Sequence, residues 1–419
     1  MGVTPSALTL LLGLDLSQSG EWGALDSLNE LADLSWTAGL HVVYRMVQKR
    51  DKPHPKCYIG EGKLEELKAL VTEYKVTVVI TDDELSPAQH KHLESVLCVK
   101  VMDRTGLILD IFAQHARTAE SQLQVELAQL EYLLPRLTRM WTHLSRLGGG
   151  IGTRGPGEKQ LEVDKRQIRV RLSTIRKKLE KIKSHRENMR QHRDRIPALT
   201  GVLVGYTNAG KSTLLNALTD ADVLAKDQLF ATLDPTTRYL QLKDRSRILV
   251  TDTVGFIQKL PHQLVSSFRA TLEEAIDADF LLHVVDVSHP KAKVFYQTSM
   301  SILTEIGAAH VPQILVLNKA DQDTAELWKN FHDIETPRVI LSAKTGLGVD
   351  KLTEEIERFV RPLKESITLD IPYSRFDILD LVYQYGSVQS REDLETGVRV
   401  AAFLNKNMIP QLLKSLHSS

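Results

Sequence analysis

Apolar positions along the chain fall into four successive patterns. Over residues 1–118, short apolar runs alternate with segments of helical spacing. Residues 7–14, 42–47, 76–82 and 100–103 read as strands, and residues 63–73 and 87–96 as helices. This predicts a small α/β unit whose first run is a buried strand. Over residues 119–196 the period changes. Leu123, Leu127, Leu130, Leu134, Leu137 and Trp141 are spaced by alternating fours and threes, and so are Ile168, Leu172, Ile175, Leu179 and Ile182. Each set is one apolar helix stripe. Two such helices bury their stripes most simply against each other, which predicts an antiparallel helical hairpin. The break between them, residues 147–160, holds six glycines and one proline and reads as a tip loop carrying Arg154 and Lys159. Over residues 197–362, β-rich apolar runs at 202–204, 248–251, 281–287, 313–317 and 339–341 predict a parallel sheet covered on both faces. Residues 367–419 are short and mixed, with a strand at 398–403 and a helix near 409–415. They predict a small α+β domain at the C-terminal end.

Candidate chemistry concentrates in the third pattern. Gly205, Tyr206, Thr207, Asn208, Ala209, Gly210, Lys211 and Ser212 have the form GxxxxGKS, between a strand and a helical run. Glycines there let backbone amides face phosphate oxygens, and the helix N-terminus favours negative charge. Lys211 is expected to reach the β- and γ-phosphates, and Ser212 to ligate Mg2+. Asp252, Thr253, Val254 and Gly255 end a strand; Asp252 is expected to hold Mg2+, directly or through water, and the Gly255 amide to meet the γ-phosphate. Asn318, Lys319, Ala320 and Asp321 follow another strand. A carboxylate at 321 accepts from the guanine ring nitrogen and exocyclic amine, a donor pair that adenine lacks, so GTP and GDP are the expected ligands rather than ATP. Ser342, Ala343 and Lys344 follow the last strand and place a backbone amide at the guanine oxygen. Four such motifs in this order, each at a strand end, predict a P-loop GTPase domain. Between the first two lie Phe230, Ala231, Thr232, Leu233 and Asp234, and spacing alone leaves Thr232, Thr236 and Thr237 as candidates for a nucleotide-sensing threonine.

Charge adds a partner. Net charge is zero, yet residues 136–195 carry 18 Lys or Arg against 6 Asp or Glu, an excess of 12 that the remainder must offset. Such segregation predicts a polyanion, a nucleic acid, as the partner of the basic segment. Two cysteines, Cys57 and Cys98, give no disulfide framework and fit a reducing, cytoplasmic setting. No run is long enough to span a bilayer. His54 reads as a loop histidine, and His283 and Trp141 as core residues. Because the hairpin satisfies its own stripes, a monomer is expected.

Long, specific segments resemble the HflX family of translation-factor-related GTPases. They are residues 52–56 with 60–63, 103–110, 124–129, 149–160 and 230–234, and the likeness extends over most of the chain. The resemblance implies an N-terminal α/β domain (residues 1–118), a helical hairpin (119–196), a GTPase domain (197–362) and a small C-terminal domain (367–419). It implies binding to the large ribosomal subunit and, for some members, separation of stalled ribosomes. It selects Thr232 as the Mg2+-ligating threonine and brings the tip, residues 148–160, toward ribosomal RNA.

No catalytic side chain is assigned by these motifs. Many GTPases place a water-orienting glutamine directly after Asp-x-x-Gly; here Phe256 and Ile257 stand there. Slow hydrolysis by the isolated protein, accelerated on the ribosome, is therefore expected. Lys211 and Asn208 are candidate charge stabilisers, the latter by holding K+ beside the phosphates. Ribosome assembly, or a scaffold that only binds GTP, are the competing readings.

Overall fold

The computed structural model describes residues 7–16, 22–140, 156–193, 198–219, 229–230, 232–259, 274–323 and 325–417. Two compact units are formed. The first comprises the described residues within Met1–Lys181, Gln228–Leu233 and Gln258–Phe268; the second those within Ile182–Asp227, Asp234–Ile257 and Arg269–Ser419.

In the first unit, β1 (Leu8–Leu16), β2 (His41–Arg50), β3 (Val78–Thr81) and β4 (Lys100–Asp103) form a wholly parallel sheet in the order β2-β1-β3-β4. The connections are α1 (Ala24–Thr37), α2 (Glu61–Glu73) and α3 (Pro87–Leu97), followed by α4 (Arg104–His115). Local chemistry sets the helix starts. Ser86 and Gln89 form a reciprocal capping box with Pro87 in the first turn. Asp103 caps α4 by accepting from the Gly106 amide at 2.9 Å.

Two long helices follow, α5 (Ala119–Met140) and α6 (Pro156–Arg193), the latter contributing its residues up to Lys181 to this unit. Arg171 and Arg176 bridge them to Glu126 and Glu131 at 2.6 and 2.7 Å. On α6 the predicted stripe is the inward face: Leu172 and Ile175 are buried, and Ile168, Leu179 and Ile182 half-buried. On α5 the predicted leucines are only half-buried. The buried positions are instead Ser121, Gln124, Val125, Ala128, Tyr132 and Arg136, because α5 also packs on α3 and α4. Tyr132 Oη and an Arg136 guanidinium nitrogen both donate to Asp103, at 2.8 and 2.9 Å. The predicted loop over 147–160 is corrected at its end: α6 begins at Pro156, a residue whose fixed φ suits a first helical turn. Lys159 therefore lies on a helix. Trp141, Arg154 and residues 148–155 lie outside the described residues.

The crevice at the C-terminal ends of β1 and β3, where the strand order reverses, is acidic. Asp82 is bonded there to Ser27, Arg104 and Lys259, and Asp83 accepts from the Lys259 ammonium at 2.5 Å. Phe230 packs edge-on against Phe112 of α4, with centroids 4.7 Å apart. Residues of both segments flanking the Asp-x-x-Gly motif thus belong to this unit.

The second unit is built on a six-stranded sheet in the order β10-β9-β8-β5-β7-β6. Its strands are β5 (Thr200–Gly205), β6 (Thr236–Gln241), β7 (Arg247–Asp252), β8 (Phe280–Asp286), β9 (Gln313–Asn318) and β10 (Arg338–Ile340). All pair in parallel except β6, a polar edge strand antiparallel to β7. The continuous apolar runs at β5, β8 and β9 are buried throughout, as sheet covered by helices on both faces requires. Around it lie α7 (Lys211–Thr219), α8 (Ala292–Ile306) and α9 (Val349–Val360). In α9, Leu352, Ile356 and Val360 are fully buried at spacings of four. Then β11 (Lys364–Pro372), α10 (Phe376–Tyr385), β12 (Ser387–Leu394), β13 (Gly397–Asn405) and α11 (Ile409–His417) form an antiparallel sheet, order β11-β13-β12, with two helices. No described helix is long and apolar enough to cross a membrane.

Candidate nucleotide site

β5 stops at Gly205 and α7 starts at Lys211, so the intervening loop directs its amides and the positive end of a helix toward one point. Gly210 has φ +91°, and a Cβ there would lie 2.3 Å from Asn318 Nδ2. Glycine is needed for that approach. The Asn318 amide nitrogen donates to Ala209 O at 2.8 Å, while its oxygen accepts from the Ala343 amide at 2.9 Å. One side chain thereby ties the phosphate-loop motif to residues 318–321 and 342–344.

Lys211 is buried, and its ammonium donates to Gly205 O at 3.3 Å and Tyr206 O at 3.0 Å. Burial holds its pKa down, to about 8, against the opposing pull of Asp252. An ammonium has three donors, so one is left for a phosphate oxygen. Ser212 Oγ donates to Asp252 Oδ2 at 2.6 Å. A hydroxyl and a carboxylate oxygen thus stand side by side at the start of α7, hard ligands of the kind Mg2+ takes.

Thr253 and Val254 are buried, and the Thr253 hydroxyl donates to Leu203 O at 2.7 Å. Gly255 lies hard against the loop: a Cβ on it would meet Thr207 Cα at 2.7 Å and Lys211 Nζ at 2.9 Å. Phe256 then pairs with the loop as a short parallel bridge. The Thr207 amide donates to Phe256 O at 2.7 Å, and the Phe256 amide to Gly205 O at 3.0 Å. The phenyl ring is buried, at 2% exposure. At the position where many GTPases carry glutamine, this chain has a core side chain and a backbone bonded to the phosphate loop.

Lys319 follows β9 in the left-handed region, φ +61°, and its ammonium pairs with Asp286 at 2.7 Å. Asp286 escaped the motif reading, although an acid closing an apolar strand beside β9 was a visible signal. Asp321 and Lys344 are exposed, and Ser342 is fully buried, its hydroxyl accepting from the Thr345 amide at 3.2 Å. Asn208 is exposed with φ +58°. Phe230 and Leu233 are buried, Thr232 and Asp234 half-buried, and Ala231 lies outside the described residues. Thr236 and Thr237 stand on β6, where the Thr237 hydroxyl is 2.9 Å from that of Thr251. Among the described residues no cluster of His, Cys, Asp and Glu forms a separate metal site.

Four family models match in chain order. They are GTP-binding GTPase N-terminal over residues 25–113, GTP-binding GTPase Middle Region over 115–193, 50S ribosome-binding GTPase over 200–319, and HflX C-terminal domain over 332–412. GTPase HflX of Lacrimispora saccharolytica is 46% identical over 398 residues, covering 95% of this chain and 94% of its own. The chain belongs to the HflX family of GTPases. GTPase HflX of Escherichia coli is 44% identical over 375 residues, covering 89% of this chain and 88% of its own. A solved structure described as SsGBP in complex with GDP aligns over 85% of this chain and 99% of its own, at 26% identity and a TM-score of 0.49. As an HflX GTPase, the chain binds guanine nucleotide and is a GTP hydrolase of the ribosome-binding GTPase family.

Proposed function

We propose that the GTP-bound protein binds the large ribosomal subunit in the cytoplasm, displaces the small subunit from stalled ribosomes, and leaves after hydrolysis. What carries this reading is one chain joining a 50S ribosome-binding GTPase match to the basic segment 136–195. Of the divisions at 1–118, 119–196, 197–362 and 367–419, the second is the RNA-directed part, with Arg154 and Lys159 as RNA contacts, and the third the nucleotide-directed part.

Within the site, residues 205–212 cradle the phosphates, and Lys211 binds the β- and γ-phosphoryl oxygens. Ser212, Thr232 and, through water, Asp252 hold Mg2+, whose bound charge offsets that of the phosphates. Among Thr232, Thr236 and Thr237, the assignment to Thr232 rests on the family resemblance of residues 230–234. Asp321 selects guanine, and the 342–344 backbone meets its oxygen. With Phe256 buried, hydrolysis by the free protein is slow and the ribosome accelerates it. Asn208, exposed in the phosphate loop, is the proposed ligand for K+ beside the phosphates; equal turnover in K+ and Na+ at matched ionic strength would remove that role.

Sedimentation of purified 70S ribosomes with the protein and GTP, a non-hydrolysable GTP analogue, GDP or ATP tests the reading. Splitting with the analogue, and protein retained on the large subunit, is the expected outcome. Intact ribosomes, or binding indifferent to nucleotide, would overturn it.

A further inference from the structure

Buried threonine hydroxyls close to the phosphate loop differ in how they are engaged. Thr253 donates to Leu203 O, and Thr237 pairs with Thr251. Thr207, third in the phosphate loop, is 94% buried, and its Oγ1 has no hydrogen-bond partner among the described residues. Leaving a buried hydroxyl unsatisfied costs about 1–3 kcal/mol. Native chains seldom accept that cost without a function. A phosphate loop is a place where a bound ligand supplies the partner.

The neighbours of Thr207 narrow the role. Its amide donates to Phe256 O at 2.7 Å, and its Cα and Cγ2 lie 2.7 and 2.9 Å from where a Cβ of Gly255 would stand. The same Gly255 position is 2.9 Å from the Lys211 ammonium. Thr207 therefore lies against the backbone that would otherwise present a water-orienting glutamine, close to the lysine that grips the γ-phosphate. Phe256 offers no side-chain hydrogen bond, whereas a threonine hydroxyl offers one donor and two acceptors.

We propose that Thr207 is a catalytic residue that aligns the attacking water. Its oxygen accepts a hydrogen bond from that water while its proton is donated to a γ-phosphoryl oxygen. As the water oxygen bonds to the γ-phosphorus, the bond to the β–γ bridging oxygen breaks and GDP leaves with that electron pair. The water's proton passes to the released phosphate, and Thr207 is chemically unchanged.

The test compares T207V, close in shape but without the hydroxyl, with T207S, which keeps it, and with T207A as a smaller control. Single-turnover GTP hydrolysis, GDP affinity, and affinity for GDP with tetrafluoroaluminate, a mimic of the transferring phosphoryl group, are measured on the full chain. T207V and T207A are expected to slow hydrolysis on the order of 100-fold and to weaken the tetrafluoroaluminate complex comparably, with a far smaller loss of GDP affinity. T207S should keep the rate within about threefold. Wild-type hydrolysis by T207V, an equal loss of GDP affinity, or a T207S variant as slow as T207V would each overturn the proposal.

Discussion

Lys211 has 6% of its surface exposed and two ammonium protons engaged by loop carbonyls, and burial lowers its pKa from 10.5 to about 8. Below pH 8 both folded and unfolded chains hold the proton, and the buried charge opposes folding. Between about 8 and 10.5 the folded chain has released a proton that the unfolded chain keeps, so stability rises with pH over that window. Thermal melts of nucleotide-free protein should show the wild type gaining on K211M as pH climbs from 8 to 10; a constant difference would contradict the assignment. Asp321 makes a prediction of another kind. Replacing its carboxylate by an amide in D321N turns one acceptor into a donor, so GDP affinity should fall on the order of 100-fold. Xanthosine diphosphate, with an oxygen where guanine has its amine, should gain. Competition against a fluorescent nucleotide reads both.

At the scale of elements, α5 shows why a stripe is an incomplete guide. The four–three spacing was legible and marked the inward face of α6, since that helix has one neighbour along the stripe. α5 also packs on α3 and α4, and that second face is marked by Arg136, which periodicity counts as polar. Arg136 is buried against Tyr132, with its guanidinium 3.6 Å from the ring centroid, and bonds Asp103 and Leu85 O. R136A would leave Asp103, a fully buried carboxylate, with the Tyr132 hydroxyl and the Gly106 and Leu85 amides but no cation, and should cost about 3 kcal/mol in denaturant unfolding. K259M is expected to cost under about 1 kcal/mol, because Lys259 is exposed and Asp82 retains Arg104 and Ser27. Two other elements were invisible for stated reasons. α4 buries Leu107, Ile108, Leu109, Ile111 and Phe112 on all sides, leaving no stripe to read, and β6 is a polar edge strand whose only alternation is faint.

For the whole molecule, zero net charge conceals the excess of 12 over residues 136–195, and much of that excess lies on α6, where Arg166 and Arg169 are exposed. If this helix meets RNA, binding must weaken with salt as counterions are released. R166Q/R169Q should flatten the slope of log affinity for the large subunit against log salt by about 1.5, leaving GDP binding unchanged; an unaltered slope would place the RNA contact elsewhere. The sequence by itself determined the family, the nucleotide and the order of the motifs. Each motif is a run of a few consecutive residues at a strand end, and strand ends are marked by short-range hydrophobic pattern. Tertiary structure alone decided that Asn318 clamps the phosphate loop to Ala343, that Asp286 holds Lys319, that Phe256 bonds to the loop, and that the Thr207 hydroxyl is buried without a partner among the described residues. Those contacts join residues tens to more than a hundred positions apart. Which of many chemically similar side chains meet across such distances is settled by packing of the sheet, and no local pattern carries it.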